Sequence, residues 1–185
     1  DLKYVISNVT EVGLALDPND RHTENAPSSF PAKLLLILKT RFEAQQSGLT
    51  ILPCELVDRN GDLLLDLIVQ QAQQWELDHG LQNWLRQENT WCNCLVDRIV
   101  SGLPERHPLL EQDKLLTAAE PYALWAIESP NGLDGFMTHP DIVQTKNVDP
   151  YSLRKVRILN GAHTSLVIRA IPMGIQTVRE AVERD

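Results

Sequence analysis

The stretch Leu49-Thr50-Ile51-Leu52-Pro53-Cys54-Glu55-Leu56-Val57-Asp58-Arg59-Asn60-Gly61-Asp62 decides the fold. Leu49 to Pro53 is a short apolar run of strand length, and the polar segment that follows carries turn residues up to Gly61. Asn60 is placed to cap a helix that continues through Asp62, Leu63, Leu67, Ile68 and Ala72 to Trp75. Upstream, Pro31 suits the first turn of a helix running to about Gln46, with Gly48 at its end. Before that lies Asp17 to Pro31, a loop rich in Asn, Asp, Pro and Ser, and before the loop Leu2 to Ser7 alternates as a strand. Strand, helix, strand, helix in this order predicts a βαβ unit and an α/β fold.

The rest of the chain extends that pattern and then leaves it. Leu81 to Gln87 reads as a third helix, Lys114 to Ala119 and Tyr122 to Glu128 as two strands around Glu120-Pro121, and Pro130-Asn131-Gly132 as a turn. Asp134 to Asn147 reads as an irregular link between two domains, 1–148 and 149–185. Asp149-Pro150 matches an N-cap followed by proline at the first helical position. From there a helix is expected to turn Leu153, Val156, Ile158 and Leu159 inward until Pro172 and Gly174 break it.

Charge and cysteine usage narrow the partners. The 185 residues carry a net charge of −8 and a sequence pI near 5.1, which argues against a nucleic-acid or anionic-membrane partner. Yet residues 146–169 hold Lys146, Arg154, Lys155, Arg157 and Arg169 against Asp149 alone, an island that can draw an anionic small molecule. Three cysteines, at 54, 92 and 94, make no disulfide framework and suit a reducing, cytoplasmic setting. Cys92 and Cys94 with one remote cysteine are too few ligands for a zinc site, and no apolar run reaches the eighteen or so residues of a membrane span. The polar start Asp1-Leu2-Lys3 is no signal peptide.

Lys155, Asn160 and His163 are the chemically distinctive group. At about 100° per helical residue, Asn160 lies roughly 140° and His163 roughly 80° around from Lys155, within one broad face. A proton donor, an oxyanion donor and a hydroxyl binder can then converge on one carbonyl. The spacing alone is equally that of an ordinary polar helix face.

Four ordered segments add to it: ISNVTEVGL at Ile6 to Leu14, ILPCELVDRNGD at Ile51 to Asp62, ENTWCNCLVDRIV at Glu88 to Val100, and KVRILNGAHTS at Lys155 to Ser165. Together they resemble the mannitol dehydrogenase family of polyol-specific long-chain dehydrogenases. Two departures stand out: Trp91 where a phenylalanine or serine is usual, and Glu55-Leu56 in place of an Asp-Asn pair. The resemblance implies the later part of a Rossmann-like nucleotide-binding domain followed by the start of an all-α C-terminal domain, with NAD as cofactor and no metal. It implies Lys155 as general acid/base, Asn160 as oxyanion donor and His163 as substrate hydroxyl binder. It assigns Asn8, Thr10 and Glu11 to the cofactor side, and Asp97 and Asn60 to the substrate side. A lysine can give the proton if its pKa falls from about 10.4 towards neutrality, and the basic island suits a sugar-acid carboxylate.

No G-x-G-x-x-G occurs in the sequence, although a dinucleotide site needs such a loop for backbone to approach the pyrophosphate. The chain opens on DLKYVIS, which reads as a strand already under way, and stops at EAVERD in mid helix, so it reads as an internal fragment. Alone it is expected to bind NADH weakly and to be inactive.

Overall fold

The computed structural model describes residues 2–23 and 25–184 and divides into two compact units, Asp1–Val148 and Asp149–Asp185. In the first, β1 (Tyr4–Ser7), α1 (Phe30–Glu43), β2 (Thr50–Pro53), α2 (Asn60–Gln74), α3 (His79–Gln87) and β3 (Thr90–Trp91) build a three-stranded sheet in the order β1-β2-β3. Both pairings are parallel, with Val5 opposite Ile51 and Ile51 opposite Trp91. The βαβ expectation is borne out.

Past Cys92 and Asn93 the same stretch of chain exchanges partners. β4 (Cys94–Asp97) runs antiparallel to β7 (Leu124–Glu128), and β7 runs parallel to β8 (Ile142–Thr145). A hairpin-like pair, β5 (Val100–Gly102) with β6 (Ala118–Ala119), lies outside this sheet. Strand β2 is buried on both faces, as expected of a parallel strand covered from two sides. Ile51 packs into a cluster with Leu34, Leu35, Leu38, Leu64, Ile68 and Leu85 from the three helices, whereas Leu52 packs with Cys92, Cys94 and Ile127.

Helix starts are fixed by side chains that accept main-chain N–H groups. Ser29 and Asp78 cap α1 and α3 from the residue before each helix. The Asp20 carboxylate accepts the N–H groups of Ser28 and Ser29. Burial alone would raise its pKa, but these bonds and the Ser29 hydroxyl outweigh it and hold the carboxyl below its usual value.

Several local expectations are corrected. α1 ends at Glu43 rather than near Gln46, and the left-handed residue after it is Gln45 (φ 54°). Gly48 has a different reason to be glycine: a Cβ there would lie 1.7 Å from the Glu88 carbonyl oxygen. Asn60 is the first residue of α2 rather than its cap. The preceding Arg59 is left-handed (φ 50°), and the helix is capped across the sheet, where Asn93 Oδ1 accepts from Gly61 N at 3.0 Å and Asp62 N at 3.1 Å. Lys114 to Thr117 is not strand; only Ala118–Ala119 pairs. Asp134 to Asn147 is not merely a link, since it contains β8, which gains a full parallel register from β7.

The second unit starts with α4 (Asp149–Leu153), which begins at Asp149 itself. It widens into a π-helical stretch, Arg154–Asn160, and returns to α5 (Gly161–Ala170). A 3-10 turn at Ile171–Met173 and Gly174 (φ 74°) end that run, and α6 (Val178–Glu183) follows behind a Thr177/Glu180 capping box. Leu153, Val156 and Ile158 were expected inward but are 50%, 60% and 67% exposed. Thirty-seven residues in this unit supply too few neighbours to cover them. No helix among the described residues is long and apolar enough to cross a membrane.

All three thiols are free and buried. Burial, and secondarily the charge of Glu55, pushes Cys54 up to about 12; burial and Glu128 push Cys92 up to about 11; Cys94 is also raised, chiefly by burial. A pKa raised in the folded state favours folding below the unfolded value and loses that contribution as pH climbs through the folded value. Unfolding free energy is therefore expected to fall by more than about 1 kcal/mol from roughly pH 8.5 to roughly pH 11 in denaturant titrations. A rise over that interval would contradict the burial of the thiols.

Candidate active site

The carboxyl edge of the parallel strands is where an open α/β sheet binds ligands. β1 delivers Asn8, Thr10 and Glu11 there, all three with exposed side chains. Thr10 is held at φ 71°, ψ 164°, a region nearly confined to glycine, and its carbonyl accepts Gly13 N–H at 3.1 Å to close a short 3-10 turn, Glu11–Gly13. Beside this loop opens a cleft of about 530 Å³ lined by Val9, Gly13, Leu16, Ser28, Ser29 and Lys33 among others.

Glu55, just beyond β2, is a residue whose role sequence reasoning missed. Its carboxylate is buried, with 2% of the residue exposed, and takes Val9 N–H at 2.9 Å and the Ser7 hydroxyl at 3.2 Å. The only sequence signal was a charged side chain at the end of an apolar strand, where an anchored acid is as much at home as a solvated one.

Asn60 lies at this edge but faces inward. It is 0% exposed; its Nδ2 donates to the carbonyls of Pro53, Glu55 and Cys94 at 2.9–3.0 Å, and its Oδ1 accepts Cys94 N–H at 2.8 Å. With both ends of the amide engaged by main chain, this side chain joins β2, α2 and β4 and offers no surface to a substrate. Asp97 is half-buried at the end of β4, opposite Leu124. Asn93 and Glu128 form a network the sequence did not reveal. Asn93 Nδ2 reaches Asp62 and Glu128, Arg59 bridges the same two acids, and Glu128 Oε2 accepts Val148 N–H at 2.9 Å.

The second unit carries Lys155, Asn160 and His163 on one continuous helix, whose geometry differs from the α-helix expected. Gly161 N–H bonds to Val156 C=O, a five-residue step, and Lys155 and Asn160 stand the same five residues apart within the π-helical stretch. Such a step makes them vertical neighbours, as i and i+4 are in an α-helix. His163 then lies three residues beyond Asn160, back in α geometry, so the triad occupies a narrower face than α-helical spacing gives. Lys155 is half-buried and Asn160 exposed.

His163 Nδ1 lies 2.9 Å from the Leu159 carbonyl. A carbonyl only accepts, so Nδ1 carries the hydrogen and Nε2 of the neutral ring keeps its lone pair for a hydroxyl. Thr164 and Ser165 likewise donate to the carbonyls of Asn160 and Gly161, where the helix changes register. Of the basic island, Arg154 stacks over the Tyr151 ring at 5.0 Å. Among the described residues no group of three or more His, Cys, Asp or Glu is arranged to hold a metal ion.

A Rossmann-type α/β unit is thus followed along the chain by a helical unit. The chain belongs to the mannitol dehydrogenase family: the family's Rossmann domain matches residues 3–138 and its C-terminal domain residues 147–185. It is 39% identical over 198 aligned residues to an altronate oxidoreductase of Bacillus subtilis (strain 168), an alignment covering 98% of this chain and 41% of that protein. It is 40% identical to an altronate oxidoreductase of Yersinia pestis, covering 99% and 41%. The chain thus spans about 41% of the length of these relatives. Among solved structures it resembles substrate-free D-sorbitol dehydrogenase, with TM-score 0.76, 22% identity and 99% of this chain against 42% of that one. It also resembles Pseudomonas fluorescens mannitol 2-dehydrogenase in ternary complex with NAD and D-mannitol, with TM-score 0.71, 21% identity and coverage of 98% and 41%. At these identities the two structures speak to the fold, and the expected Rossmann-plus-helical architecture is borne out.

Proposed function

We propose that the chain is the central part of an NAD-dependent oxidoreductase that reduces the keto group of D-tagaturonate to give D-altronate, and runs the reverse oxidation. The observation that carries this reading is the placement of Lys155, Asn160 and His163 on one continuous helix that passes from π to α geometry between Asn160 and Gly161. The altronate oxidoreductase relatives support the substrate, and their greater length supports a longer enzyme around this chain.

The carboxyl edge suits the sugar and nicotinamide end of the cofactor. Asn8, Thr10 and Glu11 expose polar side chains there, while Val9 N–H, already bonded to Glu55, needs no ligand. When bound, the nicotinamide supplies or accepts the hydride at carbon. Lys155 Nζ gives a proton to the ketone oxygen in reduction and takes it back in oxidation. Asn160 donates its amide hydrogens to that oxygen as negative charge develops, and His163 Nε2 accepts from a neighbouring hydroxyl and fixes the sugar chain. Within the second unit's helix, Arg157 and Arg169 add positive charge that favours an anionic substrate.

Asn160→Ala is expected to lower kcat about 10²–10³-fold while leaving the unfolding temperature nearly unchanged, because the side chain is exposed. Steady-state kinetics beside thermal unfolding checks this; unchanged kcat sinks the oxyanion role. The nearest rival readings are a fructuronate reductase or a mannitol 2-dehydrogenase of the same family. A non-catalytic truncated product is the rival of another class, and turnover by any Lys155-dependent preparation excludes it.

A further inference from the structure

We propose that Glu55 is a positioning residue that clamps the segment Ser7 to Thr10 into its strained shape at the cofactor edge. This inference rests on reading that edge as the nucleotide side. Three observations meet here. The Glu55 carboxylate is almost fully buried yet makes no ion pair among the described residues; both its oxygens are given to β1 and its loop, through the Ser7 hydroxyl and Val9 N–H. The residue after Val9 is Thr10, a β-branched residue at φ 71°, ψ 164°, where only glycine is at ease and where the strain must be offset by the surroundings. Val9 also lines the adjoining cleft, so the clamp fixes that part of its lining as well as the exposed Thr10 and Glu11.

Burying an acid to hold one loop is costly unless the loop's shape matters. A glycine at position 10 and an apolar residue at 55 make the cheaper turn. The strain and its offset together point to a backbone held in advance for a ligand.

The experiment compares Glu55→Ala and Glu55→Gln in the longer enzyme that contains this chain, by amide hydrogen exchange at Val9 and by NADH affinity from fluorescence. Glutamine keeps an oxygen for Val9 N–H and offers an N–H to the Ser7 hydroxyl, so it preserves the clamp without the charge. Glu55→Ala should speed Val9 exchange at least tenfold and weaken NADH binding about tenfold, with Glu55→Gln within twofold of the parent in both. Unchanged Val9 exchange in Glu55→Ala, or equal damage in the two variants, overturns the proposal. If the parent binds no NADH, the cofactor reading fails and the exchange data still decide the clamp. If Glu55→Ala does not fold, Thr10→Gly decides: relief of strain should hold or raise the unfolding temperature, and a fall of several degrees overturns the strain the clamp is said to offset.

Discussion

Lys155→Ala is expected to reduce ketone reduction about 10²–10⁴-fold while NADH affinity stays within about twofold of the parent. The effect is large because the account gives one side chain the proton that an alkoxide requires, and the Asn160 amide holds no acidic proton near neutrality to replace it. Cofactor affinity is expected to survive because Asn8, Thr10 and Glu11, the residues proposed for the cofactor side, lie in the other unit. Kinetics in the longer enzyme that contains this chain, together with a direct NADH titration, separates the two. A loss below about tenfold, or equal losses in turnover and NADH affinity, would contradict a general-acid role.

Asn60→Ala is expected to cost about 3–5 kcal/mol of stability and to lower the unfolding temperature by roughly 10 °C. Truncation takes the Asn60 bonds from the buried carbonyls of Pro53 and Cys94 and from the Cys94 N–H, while the Glu55 carbonyl keeps Val57 N–H at 2.8 Å. Asn60→Asp should do nearly as badly, since a carboxylate cannot donate to the carbonyls of Pro53, Glu55 and Cys94. Calorimetry of the two variants beside Asn160→Ala is expected to show a sharp contrast, since Asn60 is 0% exposed and Asn160 is exposed. Equal, small shifts for Asn60→Ala and Asn160→Ala would show that the Asn60 bonds contribute little.

Local pattern made much of the fold legible. β1, β2 and the first three helices are marked by apolar periodicity, by Pro31, and by residues able to accept at a helix start. What the chain hides is held by long-range bonds. Asn60 looked like a cap because Asn before an apolar run usually is one; its partner Cys94 lies 34 residues away, and the true cap, Asn93, is 32 residues from Gly61. β8 escaped notice because Ile142-Val143-Gln144-Thr145 is short and becomes a strand only by pairing with β7. Lys155, Asn160 and His163 were legible as a candidate set, but the form of the helix that carries them was not. A five-residue gap between Lys155 and Asn160 fits an α-helix loosely, and nothing in the residue pattern announced the π-helical stretch from Arg154 to Asn160.

The most direct measurement is side-by-side NADH oxidation with tagaturonate, fructuronate and fructose by the enzyme containing this chain. The account predicts a kcat/KM for tagaturonate at least about tenfold above both alternatives, abolished by Lys155→Ala. Equal or greater activity on fructuronate or fructose, or activity on tagaturonate that persists without Lys155, would contradict it.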